Sequence, residues 1–136
     1  MRLLSRYLLR QLAGPFAFAR RLAIPLADQT PGPPLQPPFV IAGQRLAVNI
    51  CYEDVFGTEL RSFLPEAGLL INVSNDAWFG DSIAPHQHLQ MARFRALESG
   101  RYMLRSTNTG ITAIIDARGR VVERGQQFGV AVVTGS

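Results

Sequence analysis

The pattern of apolar and polar positions predicts a series of short strands from residue 39 onward. In Arg45–Ile50 the apolar side chains alternate, and this two-residue period is typical of a strand. Leu69–Val73 is an apolar run, which predicts a strand buried on both faces. Further short strands are predicted at Phe39–Ile41, Tyr102–Ser106, Ile111–Ile115, Val121–Glu123 and Gly129–Val133.

Two segments between these strands have apolar residues at helical spacing. They predict helices over Asp54–Leu64 and Pro85–Ser99, the second ended by Gly100. Strands and helices alternate up to Ser106, and a hairpin that turns at Asp116–Arg120 follows. This order predicts an α/β fold with a mixed sheet.

The first 38 residues have a different character. Residues 1–27 are basic and amphipathic, which predicts a helical arm that packs on its own domain or on a membrane surface. Residues 28–38 contain five of the nine prolines, which predicts a rigid, extended connector. Residues 39–136 remain for the folded domain. The chain has no run of about 20 apolar residues, so no transmembrane helix is predicted.

The charge is +4, and every basic side chain is an arginine, because the sequence contains no lysine. The arginines are scattered and form no basic cluster with interleaved aromatics, which argues against nucleic-acid binding. A weak attraction to an anionic membrane surface fits the basic arm better. No Cys/His cluster has metal-ligand spacing, so no metal site is predicted.

Cys51 is the one cysteine and follows a predicted strand directly. A strand would deliver it to the carboxyl edge of the sheet, and the start of a following helix would favour the thiolate. A backbone N–H after the cysteine could receive an oxyanion, as in a nucleophile elbow. The alternative is a buried, inert thiol, which is common for a free cysteine.

A thiol nucleophile needs a base that takes its proton. Two histidines and two glutamates are candidates for this role or for a supporting one. His86 and His88 allow a Cys–His pair, although this histidine pair near a helix start is more typical of a solvated cap. Glu53 could orient the elbow. Glu98 lies near a helix C-terminus, where a carboxylate is unfavourable, so it has either a buried arginine partner or simple solvent exposure.

Four motifs occur in order along the chain: Asn49–Asp54 (NICYED), Ile71–Gly80 (INVSNDAWFG), His88–Glu98 (HLQMARFRALE) and Arg105–Ala113 (RSTNTGITA). Together they resemble the carbon–nitrogen hydrolases, and within them the bacterial apolipoprotein N-acyltransferase branch. The resemblance covers roughly residues 24–125, and its specificity comes from the four strings in order.

The resemblance implies a role for each matching position. Cys51 would be the nucleophile that carries an acyl thioester, with Tyr52 and Glu53 supporting its loop. Asn75, Trp78 and Phe79 would lie on a loop beside the site, near the lipid chain. Glu98 would be a structural carboxylate.

The resemblance also implies the fold and the setting of the whole enzyme. The fold would be a four-layer α-β-β-α sandwich, of which this chain is a C-terminal part that leaves one apolar sheet face uncovered. The enzyme would lie in the bacterial inner membrane with its catalytic domain in the periplasm. A phospholipid would donate the acyl chain, and a diacylglyceryl-modified apolipoprotein would accept it, without a cofactor.

This sequence departs from the family's Glu–Lys–Cys triad. It has no lysine, and no glutamate precedes Glu53. We therefore expect a fragment that begins after the triad lysine and has little activity alone. Three alternatives stay open: a soluble amidase or nitrilase, a non-catalytic binding module, and a Cys–His hydrolase that uses His86 or His88.

Overall fold

The six strands lie in the sheet in the order in which they occur in the chain. They are β1 (Phe39–Ile41), β2 (Gln44–Ile50), β3 (Leu69–Asn75), β4 (Tyr102–Asn108), β5 (Ala113–Ile115) and β6 (Val121–Arg124). The middle strands β2, β3 and β4 are parallel to one another, whereas the pairs β1–β2, β4–β5 and β5–β6 are antiparallel. The predicted α/β fold with a mixed sheet is therefore confirmed.

The computed structural model describes residues 36–135. The predicted arm over residues 1–27 and connector residues 28–35 lie outside this range. Residues 36–38, at the end of the predicted connector, are in neither a helix nor a strand.

One long helix, α2 (Ala84–Ser99), joins β3 to β4 and covers one face of the sheet. Pro85 occupies its first turn, where a missing N–H costs nothing, and Gly100 ends it with a left-handed φ of 62°. Small residues on its inner side, Ala92 and Ala96, are fully buried, which allows close packing on the strands. The core comprises Ala47, Leu60, Ala67, Leu70, Leu89, Ala92, Ala96, Met103, Ile111, Ala113 and Ile115.

The predicted continuous helix over Asp54–Leu64 is wrong. The segment consists of a 3-10 turn at Cys51–Val55, a single helical turn α1 (Gly57–Leu60) and a second 3-10 turn at Arg61–Phe63. Phe56 has non-helical angles (φ −94°, ψ 82°), and the poor helix former Gly57 follows it. The helix-dipole argument for Cys51 therefore loses its basis, because no sustained helix follows the cysteine.

The C-terminal part of the chain agrees with the prediction except at its end. β5 and β6 form the predicted hairpin through Asp116–Arg120, with Gly119 at a left-handed φ of 72°. The predicted strand over Gly129–Val133 is wrong, since these residues pair with no strand in the described part of the chain. Their apolar alternation leaves Val130 and Val132 exposed.

The face of the sheet opposite α2 is also apolar. Cross-strand pairing aligns Val48, Ile71, Leu104 and Ile114 in one row across four strands. None of these four is fully buried, and Leu104 is 37% exposed. Among residues 36–135, neither helix is both long and apolar enough to cross a membrane.

Candidate active site

Cys51 lies where β2 ends, and its backbone has an unusual conformation. Its φ is 54°, in the left-handed region that side chains other than glycine rarely adopt. Two hydrogen bonds hold this turn: Asn72 Nδ2 donates to the Cys51 carbonyl at 3.0 Å, and the Ile50 N–H donates to the Glu53 carboxylate at 2.7 Å. The half-buried thiol therefore sits on a sharply bent, well-supported turn after a strand.

The two residues after the cysteine have different roles in this turn. Glu53 accepts the hydrogen bond from Ile50 and so closes the turn on the strand that precedes it. Tyr52 is half exposed and makes an edge-to-face contact with Phe56, with ring centroids 6.2 Å apart. The Tyr52 ring also lies 6.0 Å from the ring of His88.

The loop after β3 lies at the same edge of the sheet, because β2 and β3 are parallel and Ile50 pairs with Val73. Asn75 Oδ1 accepts a hydrogen bond from the Ala77 N–H at 3.1 Å and so shapes the start of the loop. Trp78 is 82% exposed and Phe79 38% exposed. These three predicted site residues therefore share the carboxyl edge of the sheet with Cys51.

A ring of four ionisable side chains lies buried beneath this edge: Asp54, Asp76, His88 and Arg105, which we call the buried charge ring. Arg105 donates to Asp54 Oδ2 and to Asp76 Oδ2, both at 3.1 Å. His88 closes the ring from the other side, with Nε2 3.0 Å from Asp54 Oδ1 and Nδ1 3.0 Å from Asp76 Oδ1. Each of the four residues is at most 3% exposed.

Asn72 connects the buried charge ring to the nucleophile. Its Oδ1 accepts from Arg105 at 2.8 Å, while its Nδ2 donates to the Cys51 carbonyl and to Asn49 Oδ1. Asn72 is fully buried, so each lost partner would leave a desolvated polar group. The left-handed turn at Cys51 is thus tied to Arg105 through a single amide side chain.

His88 does not fit the predicted solvated cap, and that interpretation is wrong for this residue. It is 3% exposed, whereas His86 is exposed as predicted. Both ring nitrogens of His88 face carboxylates, so neither is free to take a proton from a thiol. The structure therefore gives no support to a Cys–His hydrolase built on His88.

The pKa of His88 is raised above its ordinary value of 6.5. Burial of the ring opposes the charged form, and so does the positive charge of Arg105. The hydrogen bond to Asp54 and the charges of Asp54 and Asp76 outweigh both effects.

Glu98 has both of the properties that the sequence left open. Its side chain is 57% exposed, and it accepts a hydrogen bond from Arg95 Nη2 at 2.9 Å. Arg95 is largely buried and donates from Nη1 to the carbonyl of Val55 at 3.0 Å, at the end of the Cys51 turn. A cavity of about 350 Å³ lies beside this pair, and Gly57 also lines it.

The sequence alone did not predict that Asp54, Asn72, Asp76 and Arg105 belong to the site. A signal for two of them exists in the pairing register: Asn49, Asn72 and Arg105 are direct neighbours across β2, β3 and β4. A polar row at core-facing positions of three adjacent strands indicates a buried polar network. Within the described residues, no group of three or more His, Cys, Asp or Glu side chains is arranged to hold a metal ion.

Comparison with known proteins places this geometry in context. The carbon–nitrogen hydrolase family matches residues 3–136 of the chain. The apolipoprotein N-acyltransferase of Nitrosomonas europaea is 64% identical over 110 residues, which cover 81% of this chain and 22% of the relative. The apolipoprotein N-acyltransferase of Methylococcus capsulatus is 59% identical over 114 residues, covering 84% of this chain and 23% of the relative.

A solved structure has the same fold. The carbon–nitrogen hydrolase from Helicobacter pylori G27 superposes with a TM-score of 0.62 at 16% identity, covering 71% of this chain and 41% of that chain. The present chain therefore spans less than a quarter of the two acyltransferases and less than half of the solved hydrolase.

Proposed function

The chain belongs to the carbon–nitrogen hydrolase family, and from this we propose that it is part of an apolipoprotein N-acyltransferase in which Cys51 carries the acyl group. The observation that carries the proposal is the turn at Cys51. The chain's single cysteine has a left-handed φ of 54° at the carboxyl end of a parallel strand, held by Asn72 and Glu53. Backbone strain of this kind is concentrated at functional sites.

The proposed reaction has two half-reactions. The Cys51 thiolate attacks the carbonyl carbon of a phospholipid ester, and the lysophospholipid oxygen leaves and takes up a proton. The N-terminal amine of a diacylglyceryl-modified lipoprotein cysteine then attacks the thioester carbon and loses a proton. The amide bond forms as the Cys51 thiolate leaves.

The side chains around Cys51 support a lipid as the acyl donor. Ile50 is 62% exposed and Tyr52 is half exposed on the turn, and Trp78 and Phe79 project from the neighbouring loop. Exposed apolar residues clustered at one edge are typical of a site that meets an apolar ligand or a membrane. A small polar amide would not need this surface.

In the proposed enzyme, the active domain lies at the periplasmic face of the bacterial inner membrane, as the family resemblance implies. Tyr52 and Glu53 support the nucleophile turn, and Asn75 shapes the loop that bears Trp78 and Phe79. Glu98 acts at a distance, since it holds Arg95, which in turn binds the carbonyl of Val55.

The isolated chain lacks two groups of the family's triad, because it contains no lysine and no glutamate before Glu53. Loss of one oxyanion donor alone costs about 2.7–4 kcal/mol of transition-state stabilisation. We therefore expect little or no acyl transfer by the purified 136-residue chain. Robust transfer by this chain alone would contradict that expectation.

A chimera tests the proposal. The matching segment of the Nitrosomonas europaea acyltransferase is replaced by this chain's residues, and acylation of a diacylglyceryl lipopeptide by phospholipid is followed by mass spectrometry. We expect N-acylated peptide from the chimera and none from its Cys51→Ala variant. Trp78→Ala should raise the KM for phospholipid, whereas Phe94→Ala, an exposed aromatic on α2, should leave it unchanged.

The products distinguish the alternatives. Release of free fatty acid without peptide acylation would favour a hydrolase of the amidase or nitrilase type. A folded chimera that forms neither product, beside an active parent enzyme, would favour the non-catalytic module.

A further inference from the structure

The buried charge ring links two parts of the candidate site that belong to separate segments of the chain. Asp54 belongs to the turn that starts at Cys51, and Asp76 starts the loop that bears Trp78. Backbone pairing does not connect these two segments, since they follow different strands. His88 on α2 and Arg105 on β4 each bind both aspartates and so bridge the turn and the loop.

With both carboxyl groups ionised, the hydrogen bonds of the ring determine the protonation state of His88. Arginine can only donate, and Arg105 already donates to both carboxyl groups. A neutral imidazole has one N–H and one lone pair, so one of its nitrogens would face a carboxylate oxygen at 3.0 Å with no proton between them. An imidazolium donates from both nitrogens and satisfies both contacts.

The charge balance agrees with this assignment. With two carboxylates, one guanidinium and one imidazolium, the ring is neutral. A neutral His88 would leave one net negative charge in a site where all four residues are at most 3% exposed. An uncompensated buried charge is strongly destabilising, and a paired one is far less so.

We propose that His88 is a doubly protonated positioning residue, which together with Arg105 fixes the Cys51 turn relative to the Asp76–Gly80 loop. The inference depends on the proposed function only for the identity of the site. In that proposal the turn bears the nucleophile, and the loop bears Trp78 and Phe79, which meet the acyl chain. His88 does not touch the reacting atoms. It acts by holding Asp54 and Asp76 at a fixed distance from each other.

Among residues 36–135, the titratable and charged groups that face His88 are Asp54 on the turn, Asp76 on the loop, Arg105 on β4 and the Tyr52 ring at 6.0 Å. The raised pKa of His88 supports the charged form at neutral pH. Loss of that proton to solvent would place a lone pair against a carboxylate and release one side of the ring.

The chain carries its own controls for a direct test. It has two histidines, of which His86 is exposed and His88 buried, and a single tryptophan, which lies on the loop. The full chain is labelled with 15N, and the ring nitrogens of both histidines are followed by NMR as the pH is raised. We expect both nitrogens of His88 to be protonated at neutral pH, and the ring to lose one of its two protons only at a pH above the ordinary histidine pKa of 6.5.

The positioning role requires a second readout. The backbone amide signals of Val55, in the Cys51 turn, and of Trp78, in the loop, should shift with the same midpoint as His88. In His88→Gln both signals should be displaced from their wild-type positions at neutral pH and lose this titration. His86→Gln should retain the wild-type signals and the common midpoint.

Two results would overturn the proposal: a His88 ring with one bare nitrogen at neutral pH, or amide signals of Val55 and Trp78 that do not titrate together with His88. The titration of the wild-type chain decides the question even where His88→Gln does not fold. None of these measurements depends on acyl transfer. A chain that passes them and an inactive chimera would refute the proposed function alone.

Discussion

At the scale of single residues, the site is defined by a backbone conformation more than by a side-chain pair. Cys51 has a positive φ without being a glycine, which costs roughly 1–2 kcal/mol relative to an ordinary conformation. Asn72 and Glu53 supply the hydrogen bonds that hold the turn in this conformation. The protein thus retains a strained residue where the proposed chemistry needs an accessible thiol.

Glycine is usually less stabilising than alanine, and the positive φ at residue 51 predicts the reverse order there. Cys51→Gly should be more stable to urea than Cys51→Ala by about 1 kcal/mol, because glycine adopts positive φ without steric cost. The control is Ala77→Gly, on a 3-10 turn without positive φ, which should lower the stability by roughly 0.5–1 kcal/mol. Equal stabilities of Cys51→Gly and Cys51→Ala would show that this residue stores no strain.

At the scale of elements, the contact between the β4–β5 connection and the loop after β3 is as tight as any near the site. Gly110 is buried, and a methyl group there would lie 2.8 Å from Cγ of Asp76. The carboxylate of Asp76 cannot move freely, because His88 contacts one of its oxygens and Arg105 donates to the other. The packing of this connection therefore determines where the carboxylate of Asp76 lies.

Gly110→Ala should consequently destabilise the fold by roughly 1–3 kcal/mol, as overpacking of a rigid site does. It should also disturb the ring signals of His88. Gly129→Ala serves as the control, since its nearest neighbour would be 4.0 Å away, and it should change stability by less than about 0.5 kcal/mol. Urea unfolding of both variants gives the comparison. A Gly110→Ala protein as stable as Gly129→Ala would mean that Asp76 can move.

The elements also show what the sequence could and could not predict. Local periodicity located β2 and α2, and a continuous apolar run located β3. The predicted burial of β3 on both faces is wrong, because only alternate residues of the strand are buried and Val73 is 40% exposed. Periodicity failed at Asp54–Leu64, where the spacing is helical but the chain bends at Phe56. Sequence pattern could not identify Arg105 or His88 as members of one cluster, because their aspartate partners lie 12 to 51 positions away and only the fold brings them together.

At the scale of the whole molecule, two titratable groups of the described residues have opposite pKa shifts and contribute in opposite ways to the dependence of stability on pH. Hydrogen bonds from the backbone and side chain of Arg120 and the backbone of Arg118 hold the pKa of Asp116 below its ordinary value of 3.8, although burial opposes this. The pKa of His88 is raised above 6.5. The first group lies in the β5–β6 turn and the second in the buried charge ring.

The signs of the two shifts predict a plateau with a decline on each side. Asp116 binds protons less readily when folded, so its stabilisation is present above pH 3.8 and is lost as the pH falls through its folded pKa. His88 binds its proton more tightly when folded, so its stabilisation is complete below pH 6.5 and is lost as the pH rises through its folded pKa. Urea unfolding at a series of pH values measures both limbs.

The histidine variants assign the alkaline limb to its cause. His88→Gln should be less stable than the wild type at neutral pH. The difference between them should shrink as the pH rises, because only the wild type then loses a proton on residue 88 that stabilises the fold. His86→Gln should follow the wild-type curve throughout, since His86 is exposed. An alkaline decline that is as steep in His88→Gln as in the wild type would place its origin in another group and would remove the energetic basis for a charged His88.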